Sequence, residues 1–224
     1  LKLVFRVSRP WIRDPEFTIV ERARAGATGY SFPSGHTQNA AAVLGCPARM
    51  ARKKGLKITL WVLYALVGIS RMYLGVHTPY DVGVGVVMGL VLVFGLYPFF
   101  SEKNYKPQRM YVLLGVMLAL SIAFTAYTRL YPFPADIEVD NLSHGIKNGY
   151  TLTGAVAGML AAFWLDEHYV HFQTAGSLPA HIVKCVVGLG LLLGIKTVLK
   201  PPMNALFGGD PIADAFRYAI VVFF

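Results

Sequence analysis

Residues 58–100 read ITLWVLYALVGISRMYLGVHTPYDVGVGVVMGLVLVFGLYPFF and contain two long apolar runs, residues 58–76 and 82–100. A helix needs about 20 mostly apolar residues to cross the hydrocarbon core of a bilayer, and each run comes close to that length. The stretch therefore predicts a pair of transmembrane helices joined by a short polar connection.

Outside this pair, several segments have the length and composition of whole or partial spans: residues 111–127, 150–165, 181–199 and 213–224. Residues 37–50 are rich in Ala and contain Pro47, which favours a short helix buried among others rather than one facing lipid. We expect an all-α, polytopic transmembrane helical bundle with at least six spans or partial spans.

We expect this bundle to form a single membrane domain over residues 1–224, with the motif-bearing part in residues 1–100 and additional transmembrane helices in residues 110–224. The chain opens at Leu1 and stops inside an apolar run at Phe224. We interpret it as a piece of a membrane domain from which helices are missing at one or both ends.

The composition points the same way. Hydrophobic residues make up 55% of the chain and charged residues 15%, against about 25% charged in soluble domains. The net charge of +9 suits an anionic partner. Nucleic acid is excluded as that partner because long apolar stretches separate the basic residues. The two cysteines, Cys46 and Cys185, form no spacing for a metal site or a disulfide framework.

Two basic loops predict the orientation. Residues 49–57 carry five positive charges and no acid, and residues 101–109 carry three positive charges and one acid. Both fall on one side, opposite the segments 129–149, which holds Asp136, Glu138 and Asp140, and 200–214. Excess Lys and Arg marks the cytoplasmic face. A raw count of all Lys and Arg gives no orientation, because the opposite face also carries cations, and the clusters below give another reason for several of them. These cations are Lys2, Arg6, Arg9, Arg13, Arg22, Arg24 and Arg71.

The first of three polar clusters lies at residues 2–10. On a helix, Lys2, Arg6 and Arg9 would share one face, which is repulsive unless an anion lies among them. Arginine matches phosphate oxygens in two-point geometry, and lysine adds a point charge. The alternative is a basic helix end that reaches toward lipid headgroups.

The second cluster is Tyr30-Ser-Phe-Pro-Ser-Gly-His-Thr37. Ser34 is a suitable N-cap for the Ala-rich helix that follows, and a helix N-terminus favours phosphate. His36 would then lie in the first turn, close to that anion. The alternative is a helix cap with an incidental histidine.

The third cluster comprises Ser70, Arg71, His77 and Asp81. A charged residue such as Arg71 near the end of an apolar span is costly and indicates function. His77 and Asp81 are four residues apart, so the carboxylate can face one imidazole nitrogen and leave the other free to attack. The alternative is an interfacial ion pair between Arg71 and Asp81, with His77 as packing.

Taken in order, the three clusters resemble the three signature motifs of the type-2 phosphatidic acid phosphatase superfamily. Those motifs are Lys-(six residues)-Arg-Pro, Pro-Ser-Gly-His, and Ser-Arg-(five residues)-His-(three residues)-Asp, and every specified position agrees. The matching residues are Lys2, Arg9, Pro10, Pro33, Ser34, Gly35, His36, Ser70, Arg71, His77 and Asp81. The rest of the chain resembles the family only in being polytopic.

The resemblance implies hydrolysis of a phosphoester without a metal or other cofactor. His77 would attack phosphorus, Asp81 would orient it, and His36 would serve as general acid and then base. The residues implied in phosphate binding are Lys2, Arg9, Ser34, Gly35 and Arg71. Those implied in support are Pro10, Pro33 and Ser70.

The apolar body of the chain favours a lipid phosphate or diphosphate as substrate, such as undecaprenyl diphosphate, phosphatidylglycerophosphate, phosphatidic acid or a sphingoid phosphate. We expect a multi-pass protein of a bacterial plasma membrane, surrounded by membrane lipids, with its site on the extracytoplasmic face. Two alternatives stay open: a vanadate-dependent haloperoxidase-like enzyme, and a non-catalytic lipid-binding or transport protein. The sequence does not set the oligomeric state.

Overall fold

The computed structural model describes residues 1–101, 104–135, 137–173 and 175–224. Glu102, Lys103 and Asp136, which entered the prediction of orientation, lie outside the described residues. Within those ranges the regular secondary structure is entirely helical. The α-helices are α1 (Lys2–Phe5), α2 (Pro10–Arg13), α3 (Glu21–Arg24), α4 (Gly35–Ala40), α5 (Cys46–Met50), α6 (Lys54–Tyr73), α7 (Pro79–Phe100), α8 (Pro107–Leu130), α9 (Val139–Leu165), α10 (Leu178–Val198), α11 (Lys200–Leu206) and α12 (Ile212–Phe223).

Four helical segments of the described chain are long and apolar enough to cross a membrane: α6, α7, α8 and Leu178–Leu206, which contains α10 and α11. Even in α7 only 22% of the apolar window is buried inside the protein, so most of its side chains face outward, where lipid would contact them. The chain is an integral membrane protein, and the prediction of an all-α, polytopic bundle is confirmed. Helices α9 and α12 are further apolar helices at the positions of the short and the partial span.

Two segments predicted as loops are partly helical. In the segment 200–214, Lys200–Leu206 forms α11. Residues 139–149, expected to belong to a polar connection, form the first turns of α9, which has 27 residues. Asp140 lies in the first turn of this helix, where a carboxylate is favoured by the helix dipole. Gly145 and Gly149 are buried, whereas the polar side chains of this part are mostly exposed, so the start of α9 packs through its glycines.

The predicted stripe of Lys2, Arg6 and Arg9 on one helix face is also wrong. Helix α1 ends at Phe5, because Arg6 adopts the left-handed conformation with φ 49°. Arg9 is extended and precedes α2, which starts at Pro10. A proline is well tolerated at the first position of a helix because its missing N–H has no partner there.

The Ala-rich segment 37–50 forms a continuous helical run in three pieces. Helix α4 passes into a π-helical turn, Ala41–Gly45, which is followed by α5. Pro47 lies in the first turn of α5 and has no N–H to donate to the preceding turn, which is a common reason for such irregularity.

The chain divides into two compact units, Leu1–Tyr105 and Lys106–Phe224. In the first, a Cβ added at Gly89 of α7 would lie 2.5 Å from the Cβ of Ala41. In the second, a Cβ at Gly154 or Gly158 of α9 would overlap backbone atoms of α12. The small residues thus allow close helix packing in both units. That the units form one membrane domain stays a prediction.

Candidate active site

The centre of the site is a buried pair, His77 and Asp81, each 2% exposed. The Oδ2 atom of Asp81 accepts hydrogen bonds from Ser31 Oγ at 2.6 Å and from the backbone N–H of Thr78 at 2.8 Å. The same oxygen lies 3.6 Å from Nδ1 of His77. Ser31 Oγ also lies 3.4 Å from that nitrogen, so the hydroxyl bridges the carboxylate and the ring.

The start of α7 positions this carboxylate. Thr78 is the N-cap, its Oγ1 accepts from the backbone N–H of Asp81 at 3.2 Å, and the Asp81 carboxylate accepts from Thr78 in return. This reciprocal capping box, with Pro79 as the first helical residue, fixes Asp81 in the first turn. His77 directly precedes the cap and is therefore held beside the carboxylate.

Arg9 contacts the other side of the imidazole. Its Nη1 lies 3.1 Å from His77 Nε2, and its guanidinium also donates to the carbonyl oxygens of Thr28, Gly29 and Val76 at 2.7–2.9 Å. Because a guanidinium only donates, Nε2 is the accepting, unprotonated nitrogen, and the ring proton lies on Nδ1, facing Asp81.

Residues of the second cluster pack beside this pair. Ser34 is fully buried, and its backbone N–H donates to the carbonyl oxygen of Asp81 at 3.0 Å. Ser34 occupies the N-cap position of α4, but its Oγ accepts from Thr37 Oγ1 instead of capping the helix. A Cβ added at Gly35 would meet no atom within 4 Å, so there is open space at the start of α4.

His36 is exposed at the mouth of the site. Its pKa is below the ordinary value, first through partial loss of hydration and then through the positive charges of Arg71, Lys2 and Arg9 and the ring of His77. Those groups therefore act on one common region, although α4 and α6 bring them from distant parts of the chain.

The same charges act on His77. Burial is the main cause that lowers its pKa, and Arg9 and Lys2 lower it further, while the hydrogen bond and the charge of Asp81 oppose them. For Lys2 the pKa is lowered to about 8 by burial and by Arg9, against the attraction of Asp81. The cationic surroundings thus favour neutral imidazoles.

The predicted supporting residues have ordinary structural roles. Pro10 and Pro33 are buried. Ser70 Oγ donates to the carbonyl oxygen of Val67 at 2.8 Å and accepts from Arg71 Nε at 3.3 Å, which ties the arginine to its own helix. The alternative ion pair between Arg71 and Asp81 does not form among the described residues, since the recorded partner of Asp81 is His77.

The sequence reasoning missed Ser31, Thr78 and Gly29. The Thr-Pro-x-Asp pattern at 78–81 is a readable capping signal. Gly29 has φ 71°, a conformation that favours glycine, but no sequence signal connects its carbonyl with Arg9. Ser31 lies 50 positions from Asp81, and its contact depends on tertiary packing.

Family comparisons match both parts of the chain. The model of the PAP2 superfamily matches residues 1–105, and that of the PAP2 superfamily phosphatase, transmembrane extension, matches residues 150–224. The chain belongs to the PAP2 superfamily. The three clusters and the polar centre all lie within the PAP2 match, and helices α10 to α12 lie within the transmembrane extension.

Three proteins of known name have similar sequences. Phosphatidylglycerophosphatase B of Bacillus subtilis (strain 168) is 38% identical over 113 residues, which cover 46% of this chain and 53% of the relative. Lipid A 4'-phosphatase of Porphyromonas gingivalis is 36% identical over 80 residues, covering 35% and 34%. Undecaprenyl-diphosphatase BcrC of Bacillus subtilis is 30% identical over 99 residues, covering 44% and 48%.

The chain thus spans between about a third and about a half of the length of these relatives. No solved structure matches it significantly.

Proposed function

We propose that this protein is a membrane lipid phosphatase that hydrolyses a lipid phosphate monoester or diphosphate through a phosphohistidine on His77. The observation that carries the proposal is the orientation of the His77 ring. Its Nδ1 faces Asp81, and its unprotonated Nε2 faces the guanidinium of Arg9. A nucleophilic nitrogen beside a phosphate-binding cation is what phosphoryl transfer through a phosphohistidine requires.

Substrate binding would use the three cations. Lys2, Arg9 and Arg71 neutralise the phosphate oxygens, and the first-turn N–H groups of Gly35 and His36, which have no partner inside α4, donate to them. The backbone N–H of Ser34 is not part of this cradle because it already donates to Asp81. Donors set in place before the reaction stabilise the charge that develops in the transition state.

In the first step, Nε2 of His77 attacks phosphorus in line while the bond from phosphorus to the leaving oxygen breaks. Arg9 Nη1 gives up its hydrogen bond to Nε2 of His77 and donates to a phosphate oxygen instead. Asp81 stabilises the positive charge that develops on the ring. His36, neutral in the free protein, takes up a proton as the anionic phosphate binds beside it and gives that proton to the leaving oxygen. The products are a dephosphorylated lipid and a phosphohistidine.

In the second step, His36 takes a proton from water, whose oxygen attacks phosphorus and breaks the bond to Nε2. Inorganic phosphate leaves and His77 regains its neutral form. Cationic side chains supply the neutralising charge, so no step is assigned to a metal.

The substrate class follows from the relatives and the membrane setting. The relatives are named for phosphatidylglycerophosphate, lipid A and undecaprenyl diphosphate, which all combine an apolar body with a phosphate. His77 lies between the end of α6 and the start of α7, so a lipid could present its phosphate there from the bilayer. We place the site on the extracytoplasmic face of a bacterial plasma membrane, opposite the basic loop 49–57.

Phosphate release across a panel of lipid phosphates and diphosphates tests the proposal, with the full chain in detergent and no added metal. His77→Ala should lower the rate by at least about 1,000-fold because the nucleophile is removed. His144→Ala, an exposed histidine of α9, is the matched control and should leave the rate unchanged. An acid-labile phosphohistidine should be trapped in the unmodified protein.

Other outcomes would overturn the proposal. Equal phosphate release by His77→Ala would exclude His77 as nucleophile. Lipid binding without phosphate release from any member of the panel would favour a binding or transport protein. Peroxide-dependent bromination by the vanadate-loaded protein would favour a haloperoxidase.

A further inference from the structure

A groove of about 760 Å³ lies inside the first unit, away from His77. One wall is the helical run from α4 to α5 and the other is the second half of α7. The middle of the groove is apolar and contains Ala42, Cys46, Leu92 and Leu96. Its size is that of a ligand-binding cavity, and its long direction follows the two helical segments that form its walls.

One end of this groove is cationic. Arg49 and Arg52 line it beside Tyr97 and Ser101, and no acid is among the described lining residues. The guanidinium of Arg49 lies over the rings of Phe94 and Tyr97, at 5.3 and 4.6 Å from their centroids. Those contacts hold the charge against α7, at the mouth of the groove.

One hydrogen-bond donor of Arg49 has no acceptor among the described residues. Its Nε is buried and has no hydrogen-bond partner among the described residues, which do not include Glu102 and Lys103. A buried donor without a partner is costly, and the cost is removed when a ligand accepts the hydrogen bond. The acceptor that best matches two guanidinium groups is an anion with several oxygens, such as a phosphodiester.

The lipid acted on at His77 does not account for this cationic end. His36 and Arg49 are 13 positions apart on one helical run, which is roughly 20 Å along its axis. A lipid whose phosphate lies near His36 would place only its apolar tail in the groove. An apolar tail offers no hydrogen-bond acceptor to the two guanidinium groups. The cationic end suits a second anion, presented from the leaflet that faces the basic loop.

We propose that the groove binds an anionic phospholipid of that leaflet, with its phosphodiester on Arg49 and Arg52 and an acyl chain along Cys46, Leu92 and Leu96. The other end of the groove reaches Gln38, two positions after His36, so the acyl chain ends close to the candidate active site. The site is separate from the phosphatase chemistry and does not depend on it.

Native mass spectrometry of the full chain with phosphatidylglycerol or phosphatidylcholine tests the proposal. Neither lipid is a phosphate monoester or diphosphate, so the outcome is independent of the proposed activity. We expect at least a five-fold higher occupancy by phosphatidylglycerol. Phosphatidylglycerol with a photoreactive acyl chain should crosslink to peptides covering residues 38–52 and 89–101.

Arg52→Gln, at an exposed position, and the double variant Arg49→Gln/Arg52→Gln should lose this preference. Lys53→Gln/Lys54→Gln is the matched control, since it removes two charges from the same loop outside the groove, and should keep it. Cys46→Phe should fill the groove and abolish the crosslinks while both arginines remain. Equal occupancy by the two lipids, an equal loss in the lysine control, or crosslinks unchanged in Cys46→Phe would each overturn the proposal.

Discussion

At the scale of single residues, Ser31 connects groups that lie far from it in the sequence. Its hydroxyl donates to Asp81 and lies beside Nδ1 of His77, within a region that is almost completely buried. A carboxylate in such a place needs several hydrogen bonds to stay ionised and fixed. Ser31 supplies one of them and so acts on the ring through Asp81.

We expect Ser31→Ala to lower kcat about 10-fold while KM stays unchanged, because hydrogen bonds to charged groups contribute about 1.5–3 kcal/mol and Ser31 faces Asp81 rather than the substrate. Steady-state phosphate release measures both constants. The matched control is Thr59→Ala, which removes a hydroxyl that donates within its own helix, to the carbonyl oxygen of Gly55. A rise in KM without a fall in kcat would contradict this role.

The titrating groups predict a bell-shaped dependence of kcat/KM on pH. On the acid side the rate falls as His77 takes up a proton, and because its pKa is lowered by burial and by the cations, the midpoint should lie below 6.5. On the alkaline side Lys2 loses its charge as the pH rises through its pKa of about 8, and phosphate binding weakens.

Lys2→Arg should move the alkaline midpoint to higher pH, because a guanidinium stays charged there. Arg6→Lys, a change of cation outside the motif, serves as control and should leave the profile in place. An alkaline limb at the same pH in Lys2→Arg would show that another group controls it. The measurement is kcat/KM from pH 5 to 10.

The motif residues could be predicted from the sequence because their spacing is fixed, whereas their contacts could not. Arg9 was expected to clamp phosphate, yet in this structure its guanidinium donates to three carbonyl oxygens and to His77. The turn of Gly29 that presents one of those carbonyls depends on packing around residues 25–30, which have no clear hydrophobic period.

At the scale of elements, helix α7 connects the site with the membrane. Its first turn holds Asp81, and Gly85 and Gly89 bring it against the helical run that begins at Gly35. The spans were predictable because apolar length alone indicates them. The start of α9 was not, since its residues follow no apolar pattern and its packing depends on Gly149, which lies close to Thr125 of α8.

We expect Gly89→Ala to destabilise the protein by about 1–3 kcal/mol, because its methyl group would overlap that of Ala41 and overpack the interface. The melting temperature in detergent should fall by on the order of 5 °C. Gly95→Ala on the same helix is the control, since a Cβ there meets nothing within 4 Å. Equal melting temperatures for the two variants would exclude close packing at Gly89.

At the scale of the whole molecule, the charge distribution predicts which way the protein faces. Helix α6 begins in the basic segment 49–57 and ends four residues before His77, so this segment and His77 lie on opposite faces if α6 spans the bilayer. The fold class was predictable from composition, and the orientation stays a prediction.

Labelling of single cysteines with an impermeant maleimide measures the orientation in intact cells. In a background of Cys46→Ser and Cys185→Ser, Arg13→Cys should react at once, and Lys53→Cys only after permeabilisation. Both positions are exposed in the folded chain, so access to the reagent depends on the face alone. Reaction of Lys53→Cys in intact cells would contradict the orientation.

The hydrogen bond between Arg9 and His77 also limits which molecules can react with His77 in the resting protein. With its lone pair occupied by a guanidinium, the imidazole is a poor target for neutral electrophiles such as alkylating agents or reactive aldehydes. Only a ligand with negatively charged oxygens can draw the Arg9 guanidinium away from Nε2 of His77. Selectivity for anions would then begin before any bond to phosphorus is made.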